Sequence, residues 1–356
     1  MPKSTLRLET VGHLASALGE LRHNLLVQPD VHFGRPVERA FIAKLLGQLL
    51  ARAQTAVELE QLHQVDDRTL PIVLFPLRIG ELLNHAFDFG VSTGFTARRT
   101  MGLRAITLAR LEEYIRVVQA LLRGDTIEWL GEKKKHKIRF LNPELELINI
   151  NDPVPLHISA FGPRGRRLTA RLGAHWITAM RSAQSANAAL ADMQTAWREA
   201  GRDPATLYST AFGGGCVLAD GEPADSPRAK AQAGPAAAIL FHNAAEEAEL
   251  GSLGFPAPPQ FKAKFDAYRA IYRNYEPADA RYLSNHRGHL MFLRPEEQEI
   301  ITTDVIRAFT FTGTRAELVD GLRAIKTAGF RQFGMHIRTG HEVSMLQDWA
   351  DVIARV

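Results

Sequence analysis

The sequence has almost no cysteine: Cys216 stands alone among 356 residues. A single thiol excludes an intrachain disulfide and any cysteine-rich metal centre, and it suits a reducing compartment. Long apolar runs are missing too. Hydrophobic residues make up 46% of the chain, yet no stretch reaches the roughly 18–20 apolar residues of a membrane helix. The opening MPKSTLRLETVGHL lacks the continuous apolar segment of a signal peptide. These absences point to a cytoplasmic protein with no membrane partner. Charge of one sign is scarce as well, since 43 Lys and Arg against 39 Asp and Glu leave +4. The one basic run, KKKHK at 133–137, reads as a solvated loop, and no nucleic-acid partner is expected. Internal repeats and low-complexity tracts are absent.

What is present is alternation. From residue 88, short apolar runs alternate with amphipathic stretches closed by glycine. DFGVST reads as a strand. Leu108, Leu111, Ile115, Val118 and Leu122 give three- and four-residue steps over 107–123, a helix stopped by Gly124. TIEWLGEKKKHKIRFLNP reads as a hairpin-like excursion. VPLHISAF (154–161) and HWITAM (175–180) read as strands. The stretch from Arg164 to Leu172 and residues 185–200 read as helices, with Gly173 and Gly201 behind them. TLYSTAFGGGCVLAD (206–220) reads as a strand weakened by three glycines. Residues 221–300, rich in Pro and Ala, read as a mostly helical insertion containing AAEEAEL and FKAKFDAYRAIYRNY. AFTFTG (308–313) is strand-like. Thr314 and Glu317 form a capping box before a stripe of Leu318, Leu322 and Ile325. Gly329 ends that helix, and FRQFGMHI (330–337) reads as a strand. Alternating units of this kind predict a parallel sheet with helices outside it. In residues 1–87 the periodicity is faint. LGELRHNLLVQPDVHF and LPIVLFPL suggest strands, and ERAFIAKLLGQLLARAQTAVELEQL a helix.

Two stretches carry chemistry. In DFGVSTGFTARRTMG (88–102), Ser92, Thr93 and Gly94 fall at a strand end, followed by Thr96, Arg98 and Arg99. Small residues let a ring or phosphate approach the backbone, and the arginines offer forked donors for an anion. A charged surface turn fits the same pattern. In SAFGPRGRR (159–167), Ser159 closes a strand and Gly162, Pro163, Arg164 and Gly165 open a helix. Amides at a helix start attract anions. Pro163 has no amide, so Gly162, Arg164 and Gly165 are the donors, although an ordinary βα turn also reads this way.

With those residues in hand, GVSTGFTARRTMGLRAITLARLEEYIRVVQALLRGD resembles the bacterial luciferase-like monooxygenase superfamily. Its members include proteins similar to methylene-tetrahydromethanopterin reductase. PVPLHISAFGPRGRRLTARLGAHWI and FTGTRAELVDGLRAIKTAGF are similar to that family's later segments. The likeness covers roughly 88–215 and 300–340, in order. It implies a single (β/α)8 TIM barrel over 1–356, with the insertion before strand seven and an atypical first part, 1–87. It implies FMN, or alternatively the deazaflavin coenzyme F420, across the C-terminal face. Ser92, Thr93 and Gly94 would line the cofactor, and Gly162, Pro163 and Arg164 its phosphate part. The implied activity is a monooxygenase reaction of reduced FMN and O2 on a small-molecule substrate. F420-dependent hydride transfer is the alternative, and a non-catalytic flavin-binding barrel is another. A separate flavin reductase and a homodimer are the implied partners. Residues 1–87 depart from the family's pattern, with LRIGELLNHAF where L-A-T-L-N-x-L-A-P-G-R is expected.

In NHRGHLMFL, His286 and His289 are the candidates for substrate contact or proton transfer. A polar loop is the bland reading. The pair has no third ligand nearby in sequence, so no metal is expected. His157 and His336 read as hydrogen-bonded core histidines or inward-facing groups. Gly213, Gly214 and Gly215 beside Cys216 admit a ligand, or else mark a bulge or tight packing. No strand-end lysine or carboxylate pair supports a barrel aldolase, lyase or isomerase.

Overall fold

The structure is a computed structural model. It describes residues 88–131, 134–145, 150, 153–251 and 257–356, so the strands and helix suggested within 1–87 lie outside the described residues. The chain divides into two compact units. The larger comprises residues 88–121, 127–137 and 155–356. The other comprises residues 1–87, 122–126 and 138–154. In its described part, Gly124 adopts φ 77° just past a helix end.

The larger unit is built on five parallel strands: β1 Phe89–Val91, β4 Leu156–Ser159, β5 His175–Met180, β6 Ser209–Gly213 and β9 Gln332–Met335, side by side in that order. Two short pairs stand apart from it, β2 Ile127–Gly131 with β3 Lys134–Ile138, and β7 Val217–Leu218 with β8 Gly313–Thr314. Helices alternate with the strands. After β1 come α1 Phe95–Arg99 and α2 Leu108–Leu122, after β4 comes α3 Pro163–Leu172, and after β5 comes α4 Ala183–Glu199. A helical stretch follows β7, with α5 Pro227–Ala245, α6 Glu247–Leu250, α7 Lys262–Arg273, α8 Arg281–Asn285 and α9 Thr303–Phe309. The chain returns through β8 and α10 Arg315–Ala328 to β9, and ends in α11 Glu342–Ile353.

Side chains alternate across the sheet. Leu156, Ile158 and Ala160 join Trp176, Leu168, Leu190 and Trp197 in one buried apolar cluster, beneath the helices. His157 and Ser159 therefore face the other way. The Trp176 indole donates to the Ala160 carbonyl at 2.8 Å, so its one polar atom is satisfied in the core. A second cluster, built from Phe241, Phe261, Phe265, Tyr268, Ile306 and Phe309, lies within the stretch after β7.

The capping box before α10 forms as its residues predict: Thr314 Oγ1 accepts from the Glu317 amide, and the Thr314 amide donates to Glu317 Oε2 at 2.7 Å. The run AFTFTG differs from its reading. Its first half ends α9, where Phe309 packs on Phe261 and Phe241, and only Gly313 and Thr314 pair as strand. Aromatic burial overrides the local β preference there.

Candidate active site

β1 and β4 are parallel neighbours, with Val91 opposite Ile158. The turn at Ser92, Thr93 and Gly94 and the turn after Ser159 therefore leave the same edge of the sheet, on adjacent strands. At the first, Gly94 adopts φ 69°, a left-handed conformation that glycine takes without penalty, and its amide donates to Ser92 Oγ at 3.2 Å. At the second, Gly162 is the extended N-cap of α3 and no side chain caps the helix. With Pro163 lacking an N–H, the Arg164 and Gly165 amides are the first-turn donors that the helix itself cannot pair. Among the described residues, a side chain on Gly90 or on Gly162 would meet nothing within 4 Å. Gly165 packs so near Ala160 that its missing Cβ would lie 3.0 Å from the Ala160 Cβ. A flat ring laid over bare backbone, with an anion at the start of α3, fits this edge. Arg164 and Thr96 are exposed there, and Ser159 is half-buried.

The two arginines of the first stretch differ. Arg98 Nε donates to the Arg104 carbonyl at 2.6 Å. Arg99, only 1% exposed, donates to Glu246 Oε2 at 3.3 Å and to the carbonyls of Gly251 at 2.5 Å and Asn243 at 3.4 Å. Arg99 thus turns away from an incoming anion, against the expectation from sequence. A buried carboxylate claims its guanidinium, and leaving such a charge unpaired is costly.

His286 and His289 do come together, and a third histidine joins them. His242, on the last turn of α5, places its Nδ1 3.3 Å from His289 Nδ1, and His286 Nδ1 lies 3.2 Å from the same atom. Each outer imidazole is held from behind by a carboxylate: His242 Nε2 is 2.6 Å from Glu297 Oε1, and His286 Nε2 is 2.9 Å from Glu246 Oε1. Arg294 and Tyr268 bond Glu297 in turn, while Arg99 and Asn285 hold Glu246. Burial alone would raise the Glu297 carboxyl, but the bonds from His242 and Arg294 outweigh it and bring it down to about 2. Burial, then the neighbouring His242 and His286, lower His289 to about 3. His242 was missed because it lies 47 residues before His289. Its side chain bonds Glu297 rather than its i+4 neighbour Glu246, so no local spacing marked it.

The remaining candidates fall elsewhere. His157 is buried, with Nε2 3.0 Å from His175 Nδ1 and 3.3 Å from Asp88 Oδ2, a hydrogen-bonded core pair. His336 lies beside Phe212, ring centroids 4.6 Å apart, and burial lowers its pKa. The three glycines are a packing device. A Cβ on Gly215 would sit 1.9 Å from the Phe311 carbonyl oxygen, and one on Gly213 would sit 2.8 Å from that of Met180. Arg338, which sequence did not single out, is 1% exposed just past β9, and its Nε donates to the Gln232 carbonyl at 3.0 Å. A cavity of about 730 Å³ lined by Leu207, Leu322, Phe330 and Gln332 opens at the N-terminal end of β9, away from the β1–β4 edge. Among the described residues no helix is long and apolar enough to cross a membrane.

The family model described as luciferase-like monooxygenase matches residues 87–332. An F420-dependent secondary alcohol dehydrogenase, solved with an F420–acetone adduct, is 14% identical, with 80% of this chain and 74% of that one covered and a TM-score of 0.47. The coenzyme F420-dependent tetrahydromethanopterin reductase of Methanopyrus kandleri is also 14% identical, with 81% and 78% covered and a TM-score of 0.47. The FMN-bound oxygenating component of 3,6-diketocamphane monooxygenase from Pseudomonas putida is 10% identical, with 79% and 73% covered and a TM-score of 0.45. No curated protein matches the sequence.

Proposed function

Because the chain belongs to the luciferase-like monooxygenase family, a family of TIM-barrel oxidoreductases, we propose that it binds FMN along the β1–β4 edge and oxygenates a small organic substrate. The observation that carries this reading is the parallel adjacency of β1 and β4, which sets two glycine-bearing turns on one edge. When bound, the cofactor supplies the two-electron chemistry. The chain supplies its seat. Ser92, Thr93 and Gly94 leave room for the ring against the backbone. The amides of Gly162, Arg164 and Gly165, the start of α3 and the Arg164 side chain receive the phosphate. Thr96 and Ser159 offer hydroxyls at the margins, and Pro163 fixes the first turn of the helix. Arg99 takes no part, being buried against Glu246, while Arg98, bonded through Nε to the Arg104 carbonyl, lies beside the first turn. The two candidate catalytic histidines are both enclosed: His286 is engaged by Glu246, and His289 Nε2 is buried with no partner among the described residues. Reduced FMN would come from a separate flavin reductase, and the working form would be a homodimer.

The test is equilibrium binding of the purified full chain to FMN, riboflavin and F420, followed by O2 uptake with NAD(P)H and a flavin reductase. FMN binding that weakens about tenfold in Arg164→Ala, with riboflavin unaffected, supports the phosphate seat. Binding of F420 in place of FMN would move the reading to hydride transfer. FMN binding without turnover on any substrate would mark a non-catalytic flavin carrier, and binding of neither cofactor would end the proposal.

A further inference from the structure

Beyond the flavin reading, and independent of it, we propose that His242, His286 and His289 bind a divalent first-row transition-metal ion, zinc by default, through their three Nδ1 atoms. The candidate ligand atoms all lie within 4.8 Å of one another. Metal–imidazole bonds of about 2.0–2.1 Å in a tetrahedral site set neighbouring nitrogens about 3.3–3.4 Å apart. The two Nδ1 separations to His289, 3.3 and 3.2 Å, are already of that size.

The far nitrogens strengthen the assignment. Glu297 and Glu246 accept hydrogen bonds, so the Nε2 atoms of His242 and His286 carry hydrogen, and the Nδ1 atoms present lone pairs to the centre. Arg294 and Tyr268 fix one carboxylate, and Arg99 and Asn285 fix the other. A carboxylate behind each metal-binding imidazole is the arrangement that orients such ligands and raises their basicity. Without a cation the centre balances poorly. A single proton on His289 Nδ1 would have to serve two lone pairs, and His289 Nε2 is buried with no partner among the described residues. A cation at the centre satisfies all three nitrogens and moves the His289 hydrogen to Nε2.

The backbone is also committed to aiming His289. It sits between Gly288 at φ 77° and Leu290 at φ 62°, and Leu290 is a non-glycine residue held left-handed. A conformation of that kind persists only where the surroundings enforce it. Three protein ligands leave the fourth position open to water or a substrate oxygen, the pattern of metal sites that do chemistry. No β-strand contributes a ligand, so the site belongs to the helical stretch after β7. Glu246, which holds His286, also pairs with Arg99 of α1.

The experiment uses the full chain, stripped with chelator and reloaded with Co²⁺ or Zn²⁺. One equivalent of Co²⁺ per chain should give visible bands of tetrahedral intensity, bleached by one equivalent of Zn²⁺. X-ray absorption of the zinc form should show three imidazole ligands. His289→Ala should abolish the bands, Glu297→Gln should weaken Co²⁺ binding about 10–100-fold, and His341→Ala should change neither. The histidines before residue 88 make the variants necessary. Bands that survive in His289→Ala overturn the site. So does a zinc spectrum with fewer than three imidazoles, which decides the matter even if the variants fail to fold.

Discussion

Arg99 shows how a residue's chemistry can be readable and its assignment still change. Read in sequence, a guanidinium behind a glycine-bearing strand end is an anion donor. In the fold it is enclosed and paired with Glu246, which also holds His286 and Asn285. Arg99→Ala should therefore lower unfolding free energy by about 3–5 kcal/mol, since it strands a buried carboxylate. Urea denaturation reads this directly. A variant of wild-type stability with weakened FMN binding would restore the sequence reading. Cys216 makes a second point at this scale. It is fully buried, and burial pushes its thiol up to about 12, so it is protonated at neutral pH. The native chain should react with Ellman's reagent only as it unfolds, and fast labelling of the folded chain at pH 8 would contradict this burial.

Elements were legible where one local signal decided them. HWITAM is β5 to the residue, Leu108–Leu122 follows its apolar stripe, and the Thr314 and Glu317 box starts α10. They were less legible where distant packing decided them. The three glycines of 213–215 look like a ligand approach, and only the Phe311 carbonyl against Gly215 shows why no side chain fits. α11 was not singled out at all, although Met345, Trp349 and Val352 give it a buried stripe. The start of α5 carries the pH prediction. Bonds from Arg228, then from Ser226 and the Ala219 amide, hold Glu222 down to about 2 against the opposing effect of burial. Arg228 also reaches Asp348 on α11 at 3.1 Å. The folded value lies below the ordinary 4.5, so the stabilisation is complete above that pH and is lost as pH falls from 4.5 towards 2. Arg228 is part-exposed, and solvent screens the pair, so Glu222→Gln should cost only about 1 kcal/mol at pH 7. The difference from wild type should vanish near pH 2, as pH-dependent denaturation would show. A difference that persists there would assign the loss to packing.

At the scale of the whole molecule, the order of units after residue 88 was enough to predict α/β alternation and the family. The histidine centre was not legible, because it joins the end of α5 to a turn 47 residues later. The two glycine-bearing turns were legible as separate motifs, and only the pairing of β1 with β4 set them on one edge, the edge proposed to seat the cofactor. Hydrogen–deuterium exchange of the full chain, with and without saturating FMN or F420, tests that edge most directly. The account predicts slowed exchange in both turns at once, at Thr93 to Thr96 and at Gly162 to Gly165, with little change at the far ends of β1 and β4. Slowed exchange confined to one turn, or found only elsewhere in the chain, would contradict it.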